Sequence, residues 1–572
     1  MFLKSLLIEC DTHIIRNIPF HKGMNFIVDE TKASNSSAVN TGNNIGKTTV
    51  IRLINYCLGG NEKNIYQSKE FKNNINETVK SFLHDKNVKL TLRLQENLED
   101  PLSKQVEICR NFLSGSKRIL EVDGKPVLSK NLDMELKKKI FSYEEKKPTF
   151  KQLKAKNIRD EAERLENTVR VLGNFGKLEE YEALYLFWLG IDYPDAEKKR
   201  LLLEERSIED KLYTRLFNEN SESKLKQFLT IIQRDIDNLE IKKNSFNIND
   251  EYESDLELLN ETRANLNSFY SKQSQLELRK DLIEESCTEL MNNLASTQTS
   301  LLSELYEQAN LLLPELKKTY SETVAFHNKM IEEKIHFVSG EIPNIDAQLS
   351  KLNSDIQDSL VKEKQLVDNL NKSDAIDDLQ EIISQLNSKY EQKGRLEEKL
   401  EQLVSSRETL EGIDKKLSDI DKSIYALDDL VQERVSKFNQ FFSEISNNLY
   451  GEKFALSATF EQKKNTDQHF YKLYIDSLDG QTGTGKKKGE IAAFDIAYVK
   501  FAESIGIDCL HFIMHDQMEV VDDNQIEGLV QEVINSNCQF IVPILRDKLP
   551  VAIDKPEYQA LSLSQDDKLF KI

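Results

Sequence analysis

Near the amino end, Gly46-Lys47-Thr48 brings together three groups that suit a phosphate ester. Glycine lets backbone amides approach the phosphate oxygens closely. The lysine ammonium can reach a terminal phosphate, and the threonine hydroxyl can hold a magnesium ion. Met24 to Val28 reads as a short buried strand ahead of this tripeptide, and Val50 to Leu58 as an apolar helix behind it, stopping at Gly59-Gly60. A helix that starts here turns its positive end toward the same anion. Asn43, Asn44, Ile45 and Thr49 complete the candidate loop, although Thr41 stands where the longer GxxxxGK[ST] pattern has its first glycine.

Two other places could join this chemistry. Leu510 to Met514 is an apolar strand running into His515 and Asp516. A carboxylate there can hold the water shell of magnesium opposite a phosphate loop, though buried strands also end in Asp for turn reasons alone. Gln481 to Glu490 is a glycine-rich basic turn, with Lys487, Lys488, Gly489 and Glu490 leading into a helix read as Ile491 to Ser504. It suits either an anion held by free amides or a flexible hairpin with a solvated lysine run. Lys137-Lys138-Lys139 and the run Lys146, Lys147, Lys151, Lys154, Lys156 and Arg159 could neutralise nucleic-acid phosphates, or be ordinary solvated helix faces.

The elements that must position these groups differ along the chain. Residues 1–30 and 87–128 alternate like strands, and strand-like segments return after Asn447. Between about Ala196 and Phe438, apolar residues step by three and four, as in Leu225, Leu229, Ile232, Ile236 and Leu239, or Leu417, Ile420, Ile424, Leu427 and Val431. Spacing sustained this long predicts coiled coil. Ser245 to Glu251, Pro314 and Gly340 to Pro343 interrupt it. The expected order is a half-head over 1–195, an outgoing arm over 196–289, a helical apex over 290–343, a returning arm over 344–440 and a second half-head over 441–572. The fold class is thus an α/β head assembled from both chain ends, plus a long antiparallel helical coiled coil.

Bulk composition agrees, since 30% charged and 39% hydrophobic residues, with 10 Pro and 1 Trp, suit long solvated helices better than a row of globules. A net charge of −20 provides no global attraction to nucleic acid, so any contact with DNA must be local. Six scattered cysteines without a CxxC pair argue against structural zinc and a disulfide framework, and Cys287 near the apex reads as packing. No run approaches the ~18 apolar residues of a membrane span, and no secretory leader is evident, so the expected location is the cytoplasm.

Together, these features resemble the SMC family of ABC ATPases, which includes the coiled-coil subunit of double-strand-break repair complexes. The resemblance implies ATP and Mg2+ as cofactors, with Asn43 to Thr49 as the Walker A loop, Thr48 and Asp516 on magnesium, and Asp516 as the Walker B acid. It puts Lys487 to Glu490 where a signature motif touches the nucleotide of a partner head, and Asp522 or Asp523 in the loop crossing the dimer seam. Gln152 stands at the Q-loop position as a further magnesium ligand; it reads equally well as a surface glutamine. Gln517 replaces the usual catalytic Glu, leaving His515 or Glu519 as alternative bases, and Arg546-Asp547 stands where a switch histidine is expected. This pattern is similar to SMC-like subunits of Lamassu-type defence operons. That similarity implies a head-to-head homodimer, double-stranded DNA with ends or unusual structures, a partner nuclease and a small accessory subunit. Three readings remain open: an ATP-gated DNA-binding ATPase of defence or repair, an ATP-binding scaffold without turnover, or a filament in which Gly46-Lys47-Thr48 is accidental.

Overall fold

The computed structural model describes residues 1–10, 13–30, 45–68, 74–173, 176–244, 250–292, 335, 339–370, 377–464, 466–477, 484–516 and 523–572. They fall into two compact units, one formed by Met1–Glu204 with Asp414–Ile572 and the other by Glu205–Ile413. Among the described residues no helix is long and apolar enough to cross a membrane. The apex expected over 290–343 falls almost wholly outside the described residues.

The first unit is an α/β head drawn from both chain ends. At its centre is a five-stranded parallel sheet, in the order Ile158–Arg159, Phe512–His515, Gln539–Leu545, Gly23–Asp29 and Gln559–Leu563. Gly23–Asp29 and Phe512–His515 are buried at every position, as expected of parallel strands covered on both faces. The longest of these pairings runs from Gly23 beside Gln539 to Asp29 beside Leu545, so the two chain ends share one hydrogen-bond ladder.

A six-stranded antiparallel sheet, including Phe2–Cys10, Val88–Gln95 and Gln105–Asn111, lies in the same unit. Gln539 ties the two sheets together. Its amide oxygen accepts from the Leu3 N–H at 2.7 Å and its amide nitrogen donates to the Leu3 carbonyl at 2.8 Å.

The helix Thr484–Ile505 crosses the core with Ile491 to Val499 buried on all sides. It begins seven residues earlier than the glycine-rich sequence suggests. Against it packs Asp428–Tyr450, whose Val431, Val435, Phe438 and Phe442 step by four and three. Phe494 meets Phe438 and Phe442 with ring centroids 5.1 and 5.7 Å apart. Where the helix starting at Ala196 enters the unit, buried Lys199 is held by Glu182 and Asp421, each at 2.8 Å.

The second unit is built of long helices, as the three–four stepping predicts, and they pair antiparallel as follows. Glu222–Asn244 pairs with Asp377–Tyr425 through Ile232, Ile236 and Leu386, with Asp235 2.8 Å from Lys389. Asp250–Asn292 pairs with Ile342–Leu370, joined by Gln273 to Asn353 at 3.1 Å and Lys280 to Asp346 at 2.8 Å. Ser271 donates to Glu398 at 2.7 Å, which sets the two pairs side by side. The chain therefore runs out along Glu222–Asn244 and back along Asp250–Asn292 within the outgoing half. Heptad spacing does not encode this fold-back, because an apolar seam fits either neighbour.

Candidate functional site

The strand Gly23–Asp29 ends at Asp29, which is fully buried, and the next described residue after Glu30 is buried Ile45. Gly46 follows with φ +98° and caps the helix Lys47–Cys57, where no side chain caps the first turn and no acidic residue sits in it. Glycine is required twice over. The left-handed backbone disfavours a side chain, and a Cβ would lie 2.8 Å from Leu569 Cβ. The helix start is thus an anion-accepting end at the carboxyl edge of a parallel sheet, where open α/β folds bind ligands.

The charged groups converge on that edge. Lys47 Nζ stands 3.2 Å from Asp29 Oδ2. Thr48 Oγ1 donates to Asp516 Oδ1 at 3.2 Å, across 468 residues of chain. Asp516 directly follows Phe512–His515, and its N–H donates to the Arg159 carbonyl at 3.1 Å. One hydroxyl and one carboxylate in contact form a hard oxygen pair of the kind that takes magnesium, so the residues present fit that ion. Thr49 lies in the first turn of the same helix.

Beneath Asp516 lies a buried ionic cluster. Arg159 grips Asp495 with Nε at 2.6 Å and Nη2 at 2.8 Å, and Asp495 also takes His515 Nε2 at 2.8 Å. Burial lowers the His515 pKa from its ordinary value, against the pull of Asp495. Asp495 is held below the usual carboxylate range: burial opposes its charge, but Arg159 and His515 outweigh that cost. His515 is engaged with Asp495 and is 1% exposed.

The remaining expected residues divide. Asn43, Asn44, Gln517, Glu519 and Asp522 lie outside the described residues, as does the side chain of Asp523, which opens the helix Asp523–Ile534. Gln152 closes a capping box with Thr149, accepting the Thr149 N–H at 2.8 Å, so its amide oxygen is already engaged. Lys487 to Glu490 form an early turn of Thr484–Ile505 and not a hairpin. There Glu490 is buried, 2.6 Å from Lys487 and hydrogen-bonded by Thr168, while a Cβ on Gly489 would overlap the Tyr450 ring. Arg546 forms ion pairs with Glu30 and Asp554.

Part of the basic stretch is internal: Lys137, Lys154, Lys156 and Arg159 are buried, which removes them from any phosphate-binding surface, whereas Lys138, Lys146 and Lys151 are exposed. Lys137 is buried and donates to the carbonyls of Glu145 and Pro148, Lys139 pairs with Asp123 at 2.9 Å, and Lys147 pairs with Glu180 at 2.9 Å. Lys156 lies 3.6 Å above the Tyr498 ring, and Arg159 belongs to the Asp495 cluster. Lys154 closes the far end of the phosphate-loop helix, donating to Asn55 O at 3.2 Å, Asn55 Oδ1 at 2.6 Å and Leu58 O at 2.7 Å. Burial lowers its ammonium to about 7, and these three oxygens satisfy it. Replacing it leaves buried acceptors unpaired at about 1–3 kcal/mol for each group. Lys154→Met is therefore expected to cost ~3 kcal/mol in urea unfolding, and an unchanged midpoint would return this lysine to the surface.

Sequence reasoning missed Asp29; its position directly after the apolar Phe26-Ile27-Val28 at the end of a buried strand was the available signal. It also missed Asp495, the one carboxylate inside an otherwise apolar helix stretch, and Asp160. The latter follows Ile158–Arg159 beside Asp516 and accepts from Asn55 at 3.1 Å.

A family model described as "Uncharacterised protein conserved in bacteria (DUF2326)" matches residues 445–572. Among curated proteins, the chain is 23% identical over 603 residues to "Uncharacterized protein YydD" of Bacillus subtilis (strain 168), covering 96% of this chain and 94% of that one. Among solved structures it is similar to the Smc head domain with a coiled coil and joint from Pyrococcus yayanosii, at 16% identity and TM-score 0.40, covering 99% and 96% of the two chains. It is also similar to the recombination mediator RecF bound to ATP, at 11% identity and TM-score 0.29, covering 94% and 91%.

Proposed function

We propose that the chain is an SMC-like, ATP-binding and ATP-hydrolysing subunit that acts on DNA. The observation that carries this reading is Thr48 on Asp516 at 3.2 Å, with Lys47 at the same sheet edge. In this assignment the Gly46 to Thr49 amides and Lys47 hold the β- and γ-phosphates, while Thr48 and Asp516 hold Mg2+. ATP bound with magnesium supplies the phosphoryl group to be transferred, and the chain's own task is to position it and balance its charge. Lys47 would exchange Asp29 for phosphate oxygens. Two heads would close on each other with Lys487 to Glu490 at the partner's nucleotide, as the family resemblance implies. DNA would meet surfaces other than the buried lysines of 137–159. A partner nuclease and accessory subunit, in defence or in repair, are the finer form of the same proposal.

A second reading, a nucleotide-binding scaffold without turnover, is favoured by Gln517 in the place of an expected acid. One experiment separates the two. Wild-type chain is expected to bind ATP in calorimetry and release phosphate only with Mg2+. Asp516→Asn should lower that release ~100-fold, since losing the metal's carboxylate forfeits charge stabilisation worth about 3 kcal/mol. Binding without release selects the scaffold, and absence of binding rejects both.

A further inference from the structure

Glu30 follows the strand Gly23–Asp29 and Ile45 precedes the helix Lys47–Cys57, and one segment near the carboxyl end touches both residues. The Glu30 N–H donates to the Leu563 carbonyl at 2.9 Å, and the Leu569 N–H donates to the Ile45 carbonyl at 3.1 Å. Leu569 is buried and fills the space that a side chain at position 46 would need. Phe570 packs on Phe82 with ring centroids 5.5 Å apart.

Arg16, on the strand His13–Pro19, fastens this segment to the head. Its Nη2 donates to Asp567 Oδ1 at 2.5 Å, Lys568 O at 2.9 Å and Asp567 O at 3.2 Å, and its Nε donates to Leu569 O at 3.4 Å. No part of this clasp belongs to the Lys47, Thr48 and Asp516 group.

We infer that Leu563 to Phe570 is a strap that presets the phosphate loop, with Arg16 and Leu569 as positioning residues for nucleotide binding. The physical step is short. Leu569 fixes the Ile45 carbonyl, hence the peptide plane between Ile45 and Gly46, and so the direction of the first free amides of the Lys47 helix. A loop held in its binding conformation captures phosphate without an ordering cost. Releasing the strap multiplies apparent affinity by the fraction of time the loop is competent, so the dissociation constant rises.

This inference rests on the nucleotide reading above, so the test has one arm that needs no nucleotide. In full-length protein, Arg16→Ala is expected to speed hydrogen exchange of the Glu30 and Leu569 amides, whose acceptors are the Leu563 and Ile45 carbonyls, at least tenfold, leaving Ile491 to Ala502 unchanged. The same variant should raise the KM for Mg-ATP ~10-fold with kcat within twofold, and Arg16→Lys should recover part of both effects. Leu569→Ala, which keeps the backbone donor, should fall between wild type and Arg16→Ala. Wild-type exchange at Glu30 and Leu569 in Arg16→Ala would overturn the strap. A drop in kcat together with loss of protection throughout the head would also overturn it, as that reports a merely structural arginine. Wild-type protein that binds no ATP would remove the nucleotide reading and its affinity arm, and exchange alone would then decide whether the strap holds the loop.

Discussion

Lys47→Ala raises the dissociation constant for ATP at least ~100-fold, the largest effect expected of any single change at the site. A charge-assisted contact contributes about 1.5–3 kcal/mol, and the ammonium can make more than one to a triphosphate. At about 1.4 kcal/mol per factor of ten, two such contacts exceed a hundredfold. The structure adds a second term. Asp29 is fully buried 3.2 Å from this ammonium, so the variant loses the cation facing a buried carboxylate and becomes less stable as well. The two effects separate through Lys47→Arg, which keeps the positive charge beside Asp29 but presents a planar fork where a compact ammonium is needed. It should unfold near the wild-type midpoint and still bind ATP poorly. Calorimetric titration checks both variants, and ATP affinity in Lys47→Ala within twofold of wild type would remove Lys47 from the nucleotide site.

How far the sequence reaches can be judged from particular residues. Phe512 to Met514 was legible as a buried strand because a covered parallel sheet wants apolar runs, and Met24 to Val28 because only Asn25 interrupts its run. Gly46-Lys47-Thr48 was legible because its chemistry is local. What was not legible is the pairing of charges that carry no motif of their own. Arg159 and Asp495 are 336 positions apart and look, one at a time, like surface charges. Lys154 sits in a row of lysines whose spacing is identical whether the ammonium meets water or three oxygens. The start of Thr484–Ile505 was hidden for the opposite reason, as local glycine content suggested a turn where tertiary packing at Ile491 to Ala502 sustains a helix. In the second unit the three–four stepping declared long helices, but an apolar stripe names no partner, so the fold-back beside Asp377–Tyr425 had to come from contacts.

Asp495→Ala should cost the head about 3–5 kcal/mol, the usual result of stripping a buried ion pair of one member. Arg159 has five N–H groups, and five hydrogen bonds are in place: two to Asp495, and others to the carbonyls of Arg164 at 2.7 Å, Asn167 at 2.9 Å and Thr168 at 3.1 Å. Without the carboxylate the guanidinium keeps its carbonyls but has no counter-charge in a site closed to water. Against a domain stability of about 5–15 kcal/mol, that is enough to populate unfolded head near room temperature. Asp495→Asn retains the shape and an acceptor and should cost distinctly less; equal urea midpoints for the two variants would show that packing, not charge, holds this cluster. The same cluster sets a pH signature. Burial keeps the His515 pKa below its ordinary 6.5, so as pH falls the unfolded chain takes up the proton first. The stability contributed by the neutral ring is present above about 6.5 and is lost as pH falls through the folded value. His515→Asn removes that linkage while leaving other histidines untouched, so wild type should lose stability relative to it between pH 7 and pH 5. A wild type that instead gains stability relative to His515→Asn as pH falls would mean that His515 is already protonated against Asp495, which would make the cluster beneath Asp516 cationic and change the electrostatic field at the Thr48–Asp516 pair.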